Sequence, residues 1–359
     1  MSAKAKVTIQ PSNLQFDIAD SDKQQTILDN AIKNDIQLPY SCKKGVCGVC
    51  KSKVVSGKTK FTIPENEIAK WALSDQEREN GYILTCISQI ADGEQNLNLH
   101  CANAVQAHLP TPQVLRARIE SMEKLDSDIM KVILRLAATN ADNQKIGTLQ
   151  FVAGQYLKIM SDDKRPRAFS IANLPNDKNE IELHIRSIEG GYFTPKFFDG
   201  TFKVKDIVDV IIPLGNFILR KDSANPLVFV AGGTGFAPIQ AILEDYFANN
   251  ADENRPVYLF WGVRTPSGLY AEELLNKWQQ QHKNFNYVPV VSDENNNNAN
   301  SWNGETGLVH NAVEKYLQNV SNLSNADFYL CGNKMMISAM NNLLAANKVS
   351  EAKIFSDAF

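Results

Sequence analysis

Four of the six cysteines in this 359-residue chain fall in one stretch. Cys42, Cys47 and Cys50 lie within Ser41-Cys-Lys-Lys-Gly-Val-Cys-Gly-Val-Cys50, and Cys86 ends Gly81-Tyr-Ile-Leu-Thr-Cys86. C-x4-C-x2-C followed by a distant fourth cysteine is a spacing that holds a 2Fe-2S cluster. Two irons need four thiolates converging on a small inorganic core, and a single loop supplies three of them only if its backbone turns sharply. Gly45 and Gly48 permit that turn and leave amide N–H groups free to face the cluster sulfides, which tunes the potential. The other readings are a zinc site, which usually presents two close pairs, and plain buried cysteines. Cys101 and Cys331 stand outside the pattern and are not expected to be ligands. Six cysteines are too few for a disulfide scaffold.

Residues 1–105 resemble a plant-type ferredoxin, which implies a β-grasp fold. In one respect they differ: free plant ferredoxins are strongly acidic, whereas acidic and basic residues balance in this segment, and Lys43, Lys44, Lys51 and Lys53 crowd the ligands. A tethered ferredoxin needs no long-range steering toward its reductase. The lysines either meet an acidic partner or form a solvated face.

A second group of residues lies further along. Arg167-Ala168-Phe169-Ser170 resembles the R-x-[YF]-S signature of the ferredoxin-NADP reductase superfamily. A guanidinium can pair with a pyrophosphate, an aromatic ring can stack on isoalloxazine, and a hydroxyl can bond the flavin N5 edge. Taken alone, the tetrapeptide is more often just a half-buried strand. Two further elements follow in the family's order: Leu183-His184-Ile-Arg186 with Gly190-Gly191-Tyr-Phe-Thr194 before a helix, and Pro213-Leu-Gly-Asn-Phe217. The resemblance implies FAD, with its pyrophosphate held by the glycine turn, helix amides and the threonine hydroxyl.

Leu227-Val-Phe-Val-Ala-Gly232-Gly233-Thr234-Gly235-Phe-Ala-Pro238 reads as a buried strand, a glycine turn and a helix start, with Pro238 suited to a first turn. It resembles the G-G-T-G-x-A-P form of the same superfamily, not the dehydrogenase G-x-G-x-x-G; the other reading is a simple strand-to-helix connector. Cys331-Gly332-Asn-Lys follows the last long strand, and the chain ends Asp357-Ala-Phe359. The resemblance places Cys331 near the nicotinamide C4 with Ser170 opposite, gives Asp357 a part in charge balance, and lays Phe359 over the flavin. Cys331 is equally readable as a buried apolar residue, and Phe359 as a C-terminal staple. Superfamily members that use NADPH usually carry Ser-Arg after the third strand, whereas here Val291 is followed by Ser292-Asp293-Glu294. Carboxylates would repel a 2′-phosphate while Asp293 could bond a ribose hydroxyl, so NADH is expected, with Arg264 on a neighbouring loop as the residue that could still bind phosphate.

These residues need elements to hold them. Residues 5–19 read as two strands with a turn at 11–13, and 26–34 as a helix; after the cysteine loop come short strands at 53–55, 83–84 and 97–100. Pro110 and Pro112 mark a boundary. Strands at 115–119, 129–136, 156–160, 168–172, 181–187 and 208–212 suggest an antiparallel six-stranded barrel. From Pro226 buried strands at 227–230, 257–261, 287–291 and 327–330 alternate with helices at 239–247, 271–281, 309–317 and a final one, the pattern of a doubly wound parallel sheet. The tract 295–298 reads as a mobile loop, and no internal repeat is visible. The expected division is a ferredoxin domain at 1–105, an FAD-binding barrel at 112–222 and an NAD-binding domain at 225–359.

With 43% apolar and 21% charged residues and a net charge of -3, the composition is that of an ordinary globular protein and gives no nucleic-acid footprint. No apolar run spans a membrane and no signal peptide opens the chain, so a cytoplasmic location without a membrane role is expected. The order of modules resembles reductase components of multicomponent oxygenases and, within that group, CDP-6-deoxy-glucoseen reductases of dideoxysugar synthesis. The resemblance implies electron flow from NADH through FAD and the cluster to a protein acceptor, an oxygenase, hydroxylase or sugar dehydrase component. The remaining alternative is a redox-sensing module without steady turnover.

Overall fold

The computed structural model describes residues 4–137, 149–163, 165–249, 254–293, 302, 304–321 and 323–359. The expected mobile loop at 295–298 and Glu294 lie outside the described residues. The chain divides into two compact units, one running to Leu109 and including Ser350–Phe359, the other Pro110–Val349.

The first unit contains β1 (Ala5–Gln10), β2 (Leu14–Ile18), α1 (Ile27–Lys33), β3 (Ile36–Gln37), β4 (Lys51–Ser56), β5 (Thr59–Phe61), α2 (Asp75–Glu79), β6 (Tyr82–Leu84), β7 (Ser88–Ile90), β8 (Asn96–His100) and β9 (Val105–Gln106). Its main sheet has the order β2-β1-β8-β4-β6, with β1 and β8 parallel and the other pairs antiparallel. Ala5, Val7 and Ile9 alternate into the core, as a half-buried strand requires, and Ile27, Leu28 and Ala31 of α1 pack in the same core. The Thr26 hydroxyl caps α1 by accepting from the Asp29 N–H. This is the β-grasp arrangement, and it presents the 41–50 loop directly before β4.

The second unit opens with β10 (Gln113–Asp126), β11 (Ile129–Leu136), β12 (Tyr156–Met160), β13 (Pro166–Ser170), β14 (Glu180–Arg186) and β15 (Ile207–Leu214). They form one antiparallel sheet in the order β13-β12-β15-β10-β11-β14. β10 runs well past the expected 115–119 because a bulge between Ile119 and Ser121 lets the strand bend and continue. Leu115, Ala117, Val132, Leu134, Leu157, Ile159, Leu183 and Ile185 fill the interior.

β16 (Leu227–Gly232), α3 (Phe236–Asn249), β17 (Val257–Val263), α4 (Glu272–Gln281), β18 (Phe285–Val291), β19 (Glu305–Thr306), α5 (Val309–Asn319), β20 (Asp327–Gly332) and α6 (Lys334–Ala346) follow. The strands pair in parallel in the order β19-β18-β17-β16-β20. From β16 the chain moves outward through β17, β18 and β19, then returns to β20 on the other side. The switch point is therefore at the carboxyl ends of β16 and β20, where open parallel sheets bind ligands. α3 begins at Phe236, three residues before the expected 239, since a 3-10 turn at Gly233–Gly235 leads straight into it. The last strand, β21 (Ile354–Ala358), lies in the segment grouped with the first unit. Among the described residues no helix is long and apolar enough to cross a membrane.

Candidate functional site

In the cysteine loop Lys43, Gly45 and Gly48 all have positive φ (54, 71 and 78°), so the backbone folds back on itself between the thiols. Gly48 is constrained twice, because a Cβ there would also press 3.2 Å from the Ala72 carbonyl oxygen. Cys42 and Cys47 are half-buried, while Cys50 and Cys86 are buried. The thiols meet in contacting pairs: Cys42 with Cys47, Cys50 with Cys86, and Cys42 with Cys86 joining them. Two thiolates on each of two irons suits a 2Fe-2S cluster, whereas tetrahedral zinc wants all its ligands about a single centre. Hydrogen bonds from Cys47 and Cys86 pull the Cys42 thiol down, and the bond from Cys86 does the same for Cys50; their partners Cys47 and Cys86 are pushed up. Backbone donors already aim at the site, with the Lys44 N–H 3.3 Å from the Cys42 sulfur. The donor set thus fits the cluster.

The neighbouring charges differ from the basic face suggested by the sequence. Lys43 pairs with Asp29 at 3.2 Å and sits over the Tyr40 ring, and Lys51 pairs with Glu77. Lys53 lies over Tyr82, and Lys44 is exposed. Glu77 is held by a capping box with Ser74, an S-x-x-E signal present in the sequence that places α2 between the strands expected at 53–55 and 83–84. The exposed Trp71 indole donates to the Val46 carbonyl of the same loop.

The C-terminal segment also belongs to this unit. Ser41 donates to the Ala358 carbonyl (3.3 Å), and Asn103 to that of Ile354 (2.6 Å). Asp357 is buried, and burial raises its carboxyl to about 6 against the lowering effect of the Ser41 hydroxyl, with Cys42 adding to the rise. The Phe359 side chain is exposed.

In the barrel, Arg167 and Phe169 share one face of β13, Ala168 and Ser170 the other. The Phe169 ring is 6.1 Å from Phe193, and the Arg167 guanidinium lies 6.0 Å over the same ring. Arg167 is gripped by Asp163 at 2.9 Å, a partner the sequence did not reveal. The loop after β14 is pinned by Ile188 N–H to Thr194 Oγ1 (3.0 Å) and Gly191 N–H to Ile188 O (2.8 Å). The expected helix after it is a single 3-10 turn, Thr194–Phe197. Nothing lies within 4 Å of a Cβ built on Gly190, and Ile188 and Tyr192 stand exposed beside that space. Arg186 Nε pairs with Asp128 Oδ2 at 3.1 Å, which leaves the rest of the guanidinium to turn toward the glycine turn at Gly233. An open, apolar-sided glycine loop beside the cationic side chains of Arg167 and Arg186 fits an anionic cofactor such as FAD.

His184 lies elsewhere. Its side chain is 2% exposed, with Nε2 2.8 Å from Glu182 Oε1 and Nδ1 2.9 Å from Tyr270 Oη, so both ring nitrogens are already engaged. Gln240 Nε2 in turn donates to Glu182 Oε1 (3.5 Å) and to Glu244 Oε1 (3.3 Å), bridging the two carboxylates.

Gly232, Gly233, Thr234 and Gly235 join β16 to α3 at the switch point. A Cβ on Gly235 would strike the Cys331 carbonyl, and one on Gly233 would lie 2.7 Å from Arg186 Nη1, so the barrel arginine rests on the glycine turn. The Gly233 carbonyl accepts from the Trp261 indole (2.9 Å). Pro238 is buried within the first turn of α3 and shapes it from inside. Cys331 is fully buried at the end of β20, and Gly332 packs on Met336. Asp293 and Arg264 extend the carboxyl ends of β18 and β17 and are joined by Asp293 N–H to Arg264 O at 2.9 Å.

A 2Fe-2S loop, a flavin barrel and a nucleotide sheet in one chain define an electron-transferring oxidoreductase. Residues 7–91 match the 2Fe-2S iron-sulfur cluster binding domain, 116–218 the oxidoreductase FAD-binding domain and 229–342 the oxidoreductase NAD-binding domain. The CDP-6-deoxy-L-threo-D-glycero-4-hexulose-3-dehydrase reductase of Yersinia pestis is 35% identical over 354 residues, covering 98% of both chains. The phenol 2-monooxygenase reductase component DmpP of Pseudomonas sp. (strain CF600) is 30% identical over 98% of this chain and 94% of that one. The crystal structure of Amycolatopsis cytochrome P450 reductase GcoB superposes with a TM-score of 0.71 at 27% identity, covering 99% of this chain and 98% of that one. The chain belongs to the family of 2Fe-2S/FAD/NADH reductases within the ferredoxin-NADP reductase superfamily. It is an NADH-dependent oxidoreductase that passes electrons through FAD and a 2Fe-2S cluster to a partner.

Proposed function

We propose that the chain is the reductase component of a multicomponent oxygenase or hydroxylase, loading single electrons onto a separate protein. The observation that carries it is the pairing of Cys42 with Cys47 and Cys50 with Cys86 in the same chain as the Gly232–Gly235 turn. When bound, FAD converts the electron pair of NADH into the single electrons a 2Fe-2S cluster accepts. The modules are assigned to 1–105, 112–222 and 225–359. Cys42, Cys47, Cys50 and Cys86 hold the iron. Phe169 and Ser170 line the isoalloxazine, while Arg167, Arg186, Gly190, Gly191 and Thr194 serve the flavin phosphates. The turn at 232–235 takes the nucleotide pyrophosphate beside α3, Cys331 and Gly332 border the nicotinamide, and Asp293 with Arg264 meets the adenosine ribose.

The oxygenase reading draws support from relatives named for phenol and terephthalate oxygenases that align over nearly their full length. A second reading, service to a CDP-hexulose dehydrase, draws support from the 35% identity to the Yersinia reductase. Anaerobic NADH titration of the reconstituted chain, followed by absorbance and EPR, tests the electron path. Flavin and cluster should both become reduced; a flavin that bleaches beside a persistently oxidised cluster sinks it. Turnover with a purified oxygenase component against turnover with a pyridoxamine-dependent sugar dehydrase separates the two readings.

A further inference from the structure

His184 and Tyr270 are not needed by any cofactor contact described above, yet they are joined across two elements. His184 lies on β14 of the barrel, two residues before Arg186, and Tyr270 lies between β17 and α4 of the nucleotide sheet. Their side chains meet at 2.9 Å, with the rings edge-on at 5.1 Å. Glu182 orients the imidazole from behind. Burial pushes its carboxyl up, but the hydrogen bond and charge of His184, with Lys131 and Gln240, outweigh that and hold it below the usual range. An ionised carboxylate only accepts, so Nε2 carries a proton toward Glu182, and Nδ1 is left to share a hydrogen bond with the Tyr270 hydroxyl.

Beyond Tyr270 the contacts lead to the nucleotide site. Its ring packs edge-on against Trp261 at 5.0 Å, Trp261 donates to the Gly233 carbonyl, and Phe236 at the start of α3 stacks on Trp261 at 4.3 Å. The phenol also lies within electrostatic reach of Cys331 and Arg186. A continuous chain, Glu182–His184–Tyr270–Trp261–Gly233, thus ties the flavin barrel to the glycine turn.

We propose that His184 and Tyr270 are positioning residues for hydride transfer: their hydrogen bond sets the distance between the nicotinamide-binding turn and the flavin strand. The inference rests on the NADH-to-FAD reading. Displacement of reacting groups by about 1 Å lowers such rates on the order of 100-fold, so even partial loosening is measurable. The pairing does not follow from the reductase motifs, since Tyr270 lies in a loop and His184, within Leu183-His184-Ile-Arg186, reads as a flavin contact.

Stopped-flow reduction of bound FAD by NADH in the full chain tests this. Tyr270→Phe removes only the hydroxyl, and its limiting rate should fall about ten-fold while half-saturating NADH and FAD content stay within about two-fold of wild type. His184→Ala should fall as far. His184→Asn, whose amide can keep a hydrogen-bonding group near the Nδ1 position, should recover part of the rate. A Tyr270→Phe rate within about two-fold of wild type, or a rate loss matched by FAD loss, overturns the proposal. Wild-type flavin that NADH cannot reduce would instead contradict the underlying reading.

Discussion

A side-chain carbon on Gly235 would stand 2.2 Å from the Cys331 carbonyl oxygen, so the glycine turn and the end of β20 touch backbone to backbone. Neither side can yield by rotating a side chain. Gly235→Ala should destabilise the chain by roughly 1–3 kcal/mol, as overpacking does, and weaken NADH binding because the strand ends at the switch point are forced apart. Thermal melts and NADH half-saturation check this; a variant with wild-type values for both would show that the turn is looser than described.

Glu244 carries a pH signature. Burial, reinforced by the charge of Glu182 and only partly offset by Gln240, raises its carboxyl to about 7. A raised acid penalises the folded state only when ionised, so the penalty is absent below the unfolded value near 4.5, grows as pH rises toward 7 and is constant above. Its upper bound is about 3 kcal/mol, less whatever solvent screens. Glu244→Gln, which keeps an acceptor for Gln240, should therefore melt higher than wild type above pH 7 and at the same temperature near pH 4. Equal melting temperatures at both ends contradict the assignment.

Docking near the cluster should depend on Lys44 more than on its neighbours, since Lys43 and Lys51 are held by Asp29 and Glu77. With cytochrome c as a basic acceptor, Lys44→Glu should raise kcat/KM several-fold at low salt, and the gain should vanish at high salt. A change of equal size in Lys51→Met would mean that the ion pairs do not neutralise this face.

Asp293 should set nucleotide choice. Asp293→Arg is expected to raise KM for NADH and lower it for NADPH, while wild type keeps the higher kcat/KM with NADH. Wild-type kcat/KM for NADPH at or above that for NADH would refute the electrostatic argument.

Much of this architecture is legible in the sequence, because its signals are local. The C-x4-C-x2-C loop, the glycine turn after a fully apolar strand, and the alternation in β1 and β11 each determine structure within a few residues. What remained hidden depends on contacts between distant segments. Tyr270 carries no motif and gains meaning only when the fold sets it 2.9 Å from His184. Asp163 becomes visible only as the partner of Arg167. The grouping of Ser350–Phe359 with the first unit rests on the bonds of Ser41 and Asn103, made by residues far away in sequence. Lysine spacing alone suggested a basic face, whereas Asp29 and Glu77, remote in sequence, neutralise part of it.

The central claim is that the four thiols form the outlet of an electron path entering at NADH. Cys47→Ser, assayed for NADH-driven reduction of cytochrome c and of ferricyanide, tests it most directly. Cytochrome c reduction should be abolished while ferricyanide reduction, which draws on the flavin, persists near the wild-type rate. Equal loss of both, or survival of both, would contradict a path that leaves through Cys42, Cys47, Cys50 and Cys86.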